Sequence, residues 1–439
     1  MTMKRAIAVG LLSVLMVSAG CTSTAPQIET STLETFADWC LNQVSLTPEA
    51  QHTVEMLLAE AGTQTCEQAE ATLTNLSELD LTGNDITDVA PLAGLTNLIK
   101  LDLENNDILD VTPLASLTKL SELDLSRNPI VNVTPLAGLT NLSELNLSRN
   151  QIVDVAPLAN LPNLTRLDIY YNQITDVAPL ASLASLTTLD LSDNQIADVT
   201  PLASLSALTQ LKLNNNQIVD TTSLANLTNL NVLRITYNQI ADVAPLASLS
   251  NLRVLSLSVN QIVDVGPLVS LSNLTELDLI GNEIADVSPL ANLNSLNRLD
   301  LGNNQIVDVD PLVSLSNLTK LDLSFNQITD VSSLVSLSNL TELDLSRNQI
   351  VDVASLASLS NLTELNLNGN QIVDVIPLAS LTNLTGLFLS NNQIVDVSPL
   401  ADLTNLTVLS LTMNPLDEPT CPVQPETICG GYPETSSLH

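Results

Sequence analysis

The sequence predicts an α/β solenoid: a horseshoe with a parallel β-sheet on its concave face, short 3₁₀ or turn segments on its convex face and a helical N-terminal cap. Three observations predict it. A 22-residue period runs from Leu76 to Leu416 without insertion or deletion. An asparagine recurs at one position of every period, from Asn84 to Asn414, in all sixteen copies. Aromatic residues make up 2% of the chain while apolar residues make up 45%, so the core is aliphatic and too thin to hold rings.

The repeating unit is Leu-x-x-Leu-x-Leu-x-x-Asn-x-Ile-x-Asp-Val-x-Pro-Leu-x-x-Leu-x-Asn, which is a leucine-rich repeat. Leu79 and Leu81 alternate and so share one face of a short strand. Leu76, Ile86, Val89, Leu92 and Leu95 complete the inward set of the first coil. One coil cannot bury enough surface to offset its own ordering; stacked neighbours can. The asparagine column turns the chain after each strand, and its amides can satisfy backbone groups of their own and adjacent coils. Proline stands at twelve of fifteen convex positions, with Ser223, Ser333 and Ser355 as the exceptions. The column Asp88, Asp110 and onward, with Asn132 once, supplies an N-cap for each 3₁₀ turn. A calcium ladder is the alternative use of those carboxylates.

The flanks divide the chain further. Lys4 and Arg5 followed by the uncharged stretch 6–19 read as a signal peptide over 1–20, too short for a comfortable membrane span. The segment Val17-Ser18-Ala19-Gly20-Cys21 fits lipidation at Cys21, with ordinary cleavage and a spare cysteine as the alternative. Residues 21–31 form the lipidated cysteine and a polar tether. Residues 32–75 form the helical cap, with capping boxes at Ser31…Glu34 and Thr65…Gln68 and a helix opening at Thr47-Pro48-Glu49 and closing at Gly62. Phe36 and Trp39 seal the first coil. Residues 76–416 are the sixteen repeats, and 417–439 are the C-terminal cap and tail. Four cysteines remain. The ends of the sheet stand roughly 70 Å apart at about 4.8 Å per strand, so the disulfides are Cys40–Cys66 and Cys421–Cys429.

Stretches such as LTNLSELNLSRNQIVDVAPLANL closely resemble the 22-residue repeats of bacterial internalins. The resemblance covers 76–416 and implies a curved solenoid whose concave face grips a host surface protein. The chain departs from that pattern in lacking an immunoglobulin-like domain after the repeats and in carrying an N-terminal lipid site in place of a C-terminal wall signal.

Charge and variation then point to a site. The balance of 13 basic against 48 acidic residues gives −35, which repels nucleic acid. Within the repeats there is no His or Cys and no nucleophile beside a base, so no catalytic site, metal site or cofactor is expected. Variation concentrates in the concave columns that begin at residues 78, 80, 82 and 83. All five aromatics of the repeats fall there: Tyr170, Tyr171, Tyr237, Phe325 and Phe388. Lys100, Arg298 and Lys320 sit among column-78 acids and relieve their repulsion. Repeats 7–9 carry no acid in their strand segments and place Lys212 beside Arg234, with Val232, Val254, Tyr237 and Val259 around them. This island, with Tyr170, Tyr171 and Arg166 nearby, is the candidate ligand site. Arg127 and Arg149, followed by Tyr171, form a second candidate. Phe388 and Met413, in the acid-free strands of the last two repeats, have cover by the C-terminal cap as the alternative to a concave-face role, and Thr221 with Ser223 marks a weak point in repeat 7. The expected function is a lipid-anchored envelope protein, on the outer membrane or cell surface, that binds a protein or, second, a glycan. A self-associating, calcium-dependent scaffold is the alternative.

Overall fold

The computed structural model describes residues 33–417 and 421–429. Sixteen three-residue strands, β1 (Glu78–Asp80) through β16 (Val408–Ser410), form one unclosed parallel sheet in strict sequence order. Its register advances by 22 residues per strand, pairing Leu79 with Leu101 and Leu387 with Leu409. The expected solenoid is therefore the fold. Each strand is followed by a turn and a 3₁₀ helix on the convex side. The Leu, Ile and Val positions of each coil are almost wholly buried and run together as one continuous core; Leu76, where the helical cap leads into the first coil, is only partly buried.

Hydrogen bonding explains the two polar columns. Asn238 accepts from the Ile218 N–H at 3.0 Å and donates to the carbonyls of Leu213 and Ile235 at 3.0 and 3.3 Å. One amide thus bonds its own coil and the coil before it. The same pattern recurs from Asn106 to Asn414. The aspartates also cap, but from one position earlier than expected. The N-cap residue is Val89 or its equivalent, and the Asp88 carboxylate reaches past it to the Ala90 N–H at 2.8 Å. This is an Asx turn leading into the 3₁₀ helix. Asn132 substitutes at 3.0 Å through its side-chain oxygen.

Two ends close the stack. At the front stand α1 (Phe36–Leu41), α2 (Pro48–Glu60) and α3 (Cys66–Leu73). Thr35, not Ser31, caps α1, in a reciprocal box with Asp38, because the helix starts five residues later than Ser31; Ser31 itself lies outside the described residues. Thr47 caps α2 as expected. Thr65 makes no side-chain cap bond to α3; Thr63 bonds Gln68 and the Thr65 N–H instead. From α2, His52 Nε2 donates to the Asn84 carbonyl at 2.6 Å and Thr53 Oγ1 to the Asp88 carbonyl at 2.6 Å. These two side chains stand in for a preceding coil. Phe36 and Trp39 are buried beneath α1. At the rear, Cys429 bridges Leu409 of the last strand in parallel register. The disulfides are Cys40–Cys66 and Cys421–Cys429, with Cα separations of 5.6 and 5.7 Å. Among the described residues, no helix is long and apolar enough to cross a membrane. Cys21 and the leader lie outside them.

Candidate functional site on the concave face

Strand alternation sends positions 78 and 80 of each coil, and the equivalents above them, to the concave surface, while the leucine between them is buried. The sheet therefore brings together residues far apart in sequence. In β7 (Gln210–Lys212), β8 (Val232–Arg234) and β9 (Val254–Ser256), Lys212 is the register partner of Arg234 and Val232 of Val254. Lys212 turns away from its like-charged neighbour to Asp190, 3.0 Å distant. Arg234 is exposed and has no carboxylate within ion-pair distance among the described residues. Tyr237 is 60% exposed beside it, and Val259 is exposed one coil further on. Register thus makes Lys212 and Arg234, and Val232 and Val254, neighbours on the concave sheet, with Tyr237 and Val259 exposed in the same coils.

Backbone conformation adds an observation that hydropathy patterning missed. The residue before each ladder asparagine has positive φ in every coil. Gly83, Gly281 and Gly369 adopt it freely, and Asn105, Asp193, Asn215, Asn303 and Asn391 tolerate it. The remaining coils place Arg127, Arg149, Tyr171, Tyr237, Val259, Phe325, Arg347 and Met413 there. A β-branched residue such as Val259, at φ 53°, is especially disfavoured, at a cost of order 1–3 kcal/mol. Folding gains nothing from large exposed side chains on strained backbone. The recurrence of Gly and Asn in this column was the sequence signal that could have found it.

The second cluster is tighter than expected. The Arg149 guanidinium lies 5.4 Å from the Tyr170 ring centroid and 5.5 Å from that of Tyr171. Its Nε donates to the Tyr170 hydroxyl at 2.7 Å, and that bond pushes the Arg149 pKa upward. Arg127 does not join it, because Glu104 holds its Nε at 3.2 Å. Arg166 stands apart from the island as well. It lines a polar hollow of about 230 Å³ with Lys100, Asp102, Glu122, Asp124, Glu144 and Asp168. A third cluster was not expected: Arg347 stacks over Phe325 at 5.2 Å. Met413 is 81% exposed, so the described residues of the C-terminal cap leave it uncovered; the turn that gives it positive φ directs it outward.

Acidic strands flank the island. Burial, reinforced by Asp190 on the next strand, pushes the Asp168 carboxyl up to about 6, against the opposing pull of the Tyr170 N–H, Lys212 and Arg166. On the other side, burial raises Asp300 and Asp322. Arg298 and Lys320 are register partners of one another; Lys320 keeps the expected lateral pairing, and Arg298 alone departs from it. Arg298 bends along its own strand to Asp300 at 2.7 Å, and Lys320 crosses to Glu342 at 2.7 Å. Lys100 pairs laterally with Glu122 at 3.0 Å. Among the described residues, no group of three or more His, Cys, Asp or Glu is placed to hold a metal ion.

A concave sheet with a varied surface on an invariant solenoid defines a repeat protein of the binding-scaffold class. The family model for Leucine Rich repeats (2 copies) matches successive segments from 74–116 to 382–420, and the Leucine rich repeat model matches 316–372. The chain belongs to the leucine-rich repeat family, and within it to the internalin-like bacterial proteins. An internalin, inlF, from Listeria monocytogenes is 34% identical, covering 76% of this chain and 94% of its own, with a TM-score of 0.63. A leucine-rich repeat protein of Leptospira interrogans is 29% identical, covering 78% and 92%, with a TM-score of 0.73. The functional domain of InlJ from Listeria monocytogenes, which includes a cysteine ladder, is 25% identical over 86% and 81%, with a TM-score of 0.71. A search of the curated proteins returns no match.

Proposed function

We propose that this protein is a non-catalytic receptor, lipid-anchored through Cys21 to the bacterial envelope, that grips a protein ligand on its concave face. The ligand's central contact is the island of Lys212, Val232, Arg234, Tyr237, Val254 and Val259, with Arg149, Tyr170 and Tyr171 as a second contact. Arg127 and Arg166, each drawn toward acids, contribute at the margin. One observation carries the reading: in a chain of net charge −35, coils 7–9 keep Arg234 without an acidic partner among the described residues, beside a 60% exposed tyrosine on strained backbone. Exposed aromatic and arginine side chains ringed by polar surface are the usual composition of a binding hot spot. The two disulfides fit an oxidising compartment outside the cytosol.

The test is affinity for a panel of purified extracellular proteins, measured by surface plasmon resonance. Lys212→Glu with Arg234→Glu is expected to weaken the best binder by about 100-fold or more with an unchanged melting temperature; unchanged affinity overturns the site. Protease treatment of intact cells tests the anchoring. Digestion of the solenoid alongside a protected periplasmic control is expected, and protection until the envelope is permeabilised overturns surface display.

A further inference from the structure

One flank of the solenoid is built unlike the rest of its surface. It consists of positions 85 and 87 of each coil, on either side of the buried Ile86 column. The Gln151 N–H donates to the Ile130 carbonyl at 2.9 Å, and equivalent bonds repeat up to Gln393 and Ile372. This ladder keeps the segment extended, so its alternate residues face outward. From coil 4 to coil 15 the first column is glutamine at every step but Glu283, and all are exposed. The second column holds only Val, Ala and Thr over the same span, also exposed. A protein of net charge −35 therefore presents a twelve-coil flank with a single charge.

We propose that this flank is a self-association surface, on which a second copy of the chain docks by a two-fold rotation that sets coil n against coil 17 − n. Charge favours a second copy as the occupant. Two strongly acidic chains can approach here without setting column against column of carboxylates, except at the Asp border, where each side chain is turned back onto its own 3₁₀ turn. The register follows from size. The central run alternates as Ala197, Val219, Ala241, Val263, Ala285, Val307. An axis between coils 8 and 9 places Ala197 opposite Val307, Val219 opposite Ala285, and Ala241 opposite Val263, so every pair is small against large. Moving the axis onto coil 8 or coil 9 sets Val on Val and Ala on Ala. Further out, the same axis faces Thr175 with Thr329 and Val153 with Val351, so the small-against-large matching belongs to the six central coils. A self-complementary patch is what a two-fold interface requires. Coils 4–13 face their counterparts across this axis, a ten-coil band about 45 Å long. At a width of about 12 Å that is roughly 540 Å² per copy, at the lower edge of specific interfaces. The Asp border makes the association stronger as salt is raised.

Sedimentation equilibrium of the full chain carrying Cys21→Ser, at 1–100 µM in low and high salt, tests this. The expected mass is twice 46.7 kDa at the upper concentrations, reached earlier in high salt. Val263→Lys with Val307→Lys is expected to return the monomer with an unchanged circular dichroism spectrum. A monomer throughout, or a dimer indifferent to these lysines, overturns the surface. Register is read by oxidation. Ala197→Cys with Val307→Cys is expected to give a covalent dimer, because those positions lie five coils apart within one chain. Either cysteine alone is expected to give none; cross-linking of a single variant overturns the proposed axis.

Discussion

Coils 7–9 and coils 11–13 share one interior and differ on one surface. In both, the ladder asparagine makes the same bonds: Asn238 to Ile218, Leu213 and Ile235, and Asn326 to Ile306, Leu301 and Leu323. On the concave side, coils 11–13 pair the bases of their strands with acids, Arg298 with Asp300 and Lys320 with Glu342, and stack Arg347 over Phe325. Coils 7–9 leave the strand base Arg234 without such a partner among the described residues, although both regions set large side chains on left-handed backbone, Tyr237 and Val259 in one, Phe325 and Arg347 in the other. On the proposed function, the difference separates charges that serve folding from charges that serve recognition. An identical backbone shows that the fold does not demand either surface.

The largest expected effect tests the shared half of the comparison. Asn238→Ala and Asn326→Ala each strip a buried coil junction of a donor and an acceptor, at about 3 kcal/mol. Denaturant unfolding should return equal losses for the two, and a gap above about 1 kcal/mol would show that the two interiors differ. Next, Arg298→Ala leaves the Asp300 carboxylate, 8% exposed, without its partner. A loss of about 2 kcal/mol is expected, whereas Arg234→Ala should change stability by less than about 0.5 kcal/mol. Equal losses would erase the distinction between structural and functional charge.

Two smaller effects sharpen it. Val259→Asn relieves a strained φ and should stabilise by about 1 kcal/mol while weakening ligand binding. A stabilised chain that binds as well as before would remove Val259 from the site. Asp168 gives a pH signature. Its folded pKa, about 6, lies above the ordinary 3.8. The folded state therefore holds the extra proton between those values, and stability rises as pH falls from 7 towards 4. Asp168→Asn should raise the unfolding free energy at pH 7, by about 1 kcal/mol once partial exposure is discounted, and should have no such effect at pH 4. Last, Ser223→Pro restores the proline of other coils and removes a buried hydroxyl that lacks a hydrogen-bond partner. A gain of about 0.5 kcal/mol is expected, with slower hydrogen exchange around Thr222–Asn226.

The solenoid was legible in the sequence because each coil repeats one physical solution. Sixteen copies average out the ambiguity of any three-residue strand. The disulfides were legible because the rigid length of the stack excludes the other pairings. The island was legible as a cluster because parallel register is fixed at 22 residues, so column neighbours are space neighbours. What escaped was orientation within a column. Arg127 looks equivalent to Arg149, yet Glu104, one coil earlier in the neighbouring column, captures it. Arg298 and Lys320 look equivalent, yet one bends along its strand and the other across. Side-chain reach decides these cases, and periodicity carries no record of it. The start of α1 escaped because Thr35 and Asp38 compete with the Ser31 pattern, and the reciprocal pair forms where Phe36 can be buried.

Among the described residues, the caps meet the stack at its two ends: His52 and Thr53 meet Asn84 and Asp88, Asp417 bonds Val395, and Cys429 meets Leu409. Every junction between them is interchangeable. Length is therefore a free variable for this molecule. Recombination between near-identical repeats, in units of 22 codons, adds or removes whole coils without breaking the asparagine ladder or either cap. Such an event changes the separation between the Arg149–Tyr171 cluster and the Arg234–Tyr237 island in steps of about 4.8 Å. A lineage carrying this gene can thus vary the span of its recognition surface by counting, with no new side chain required.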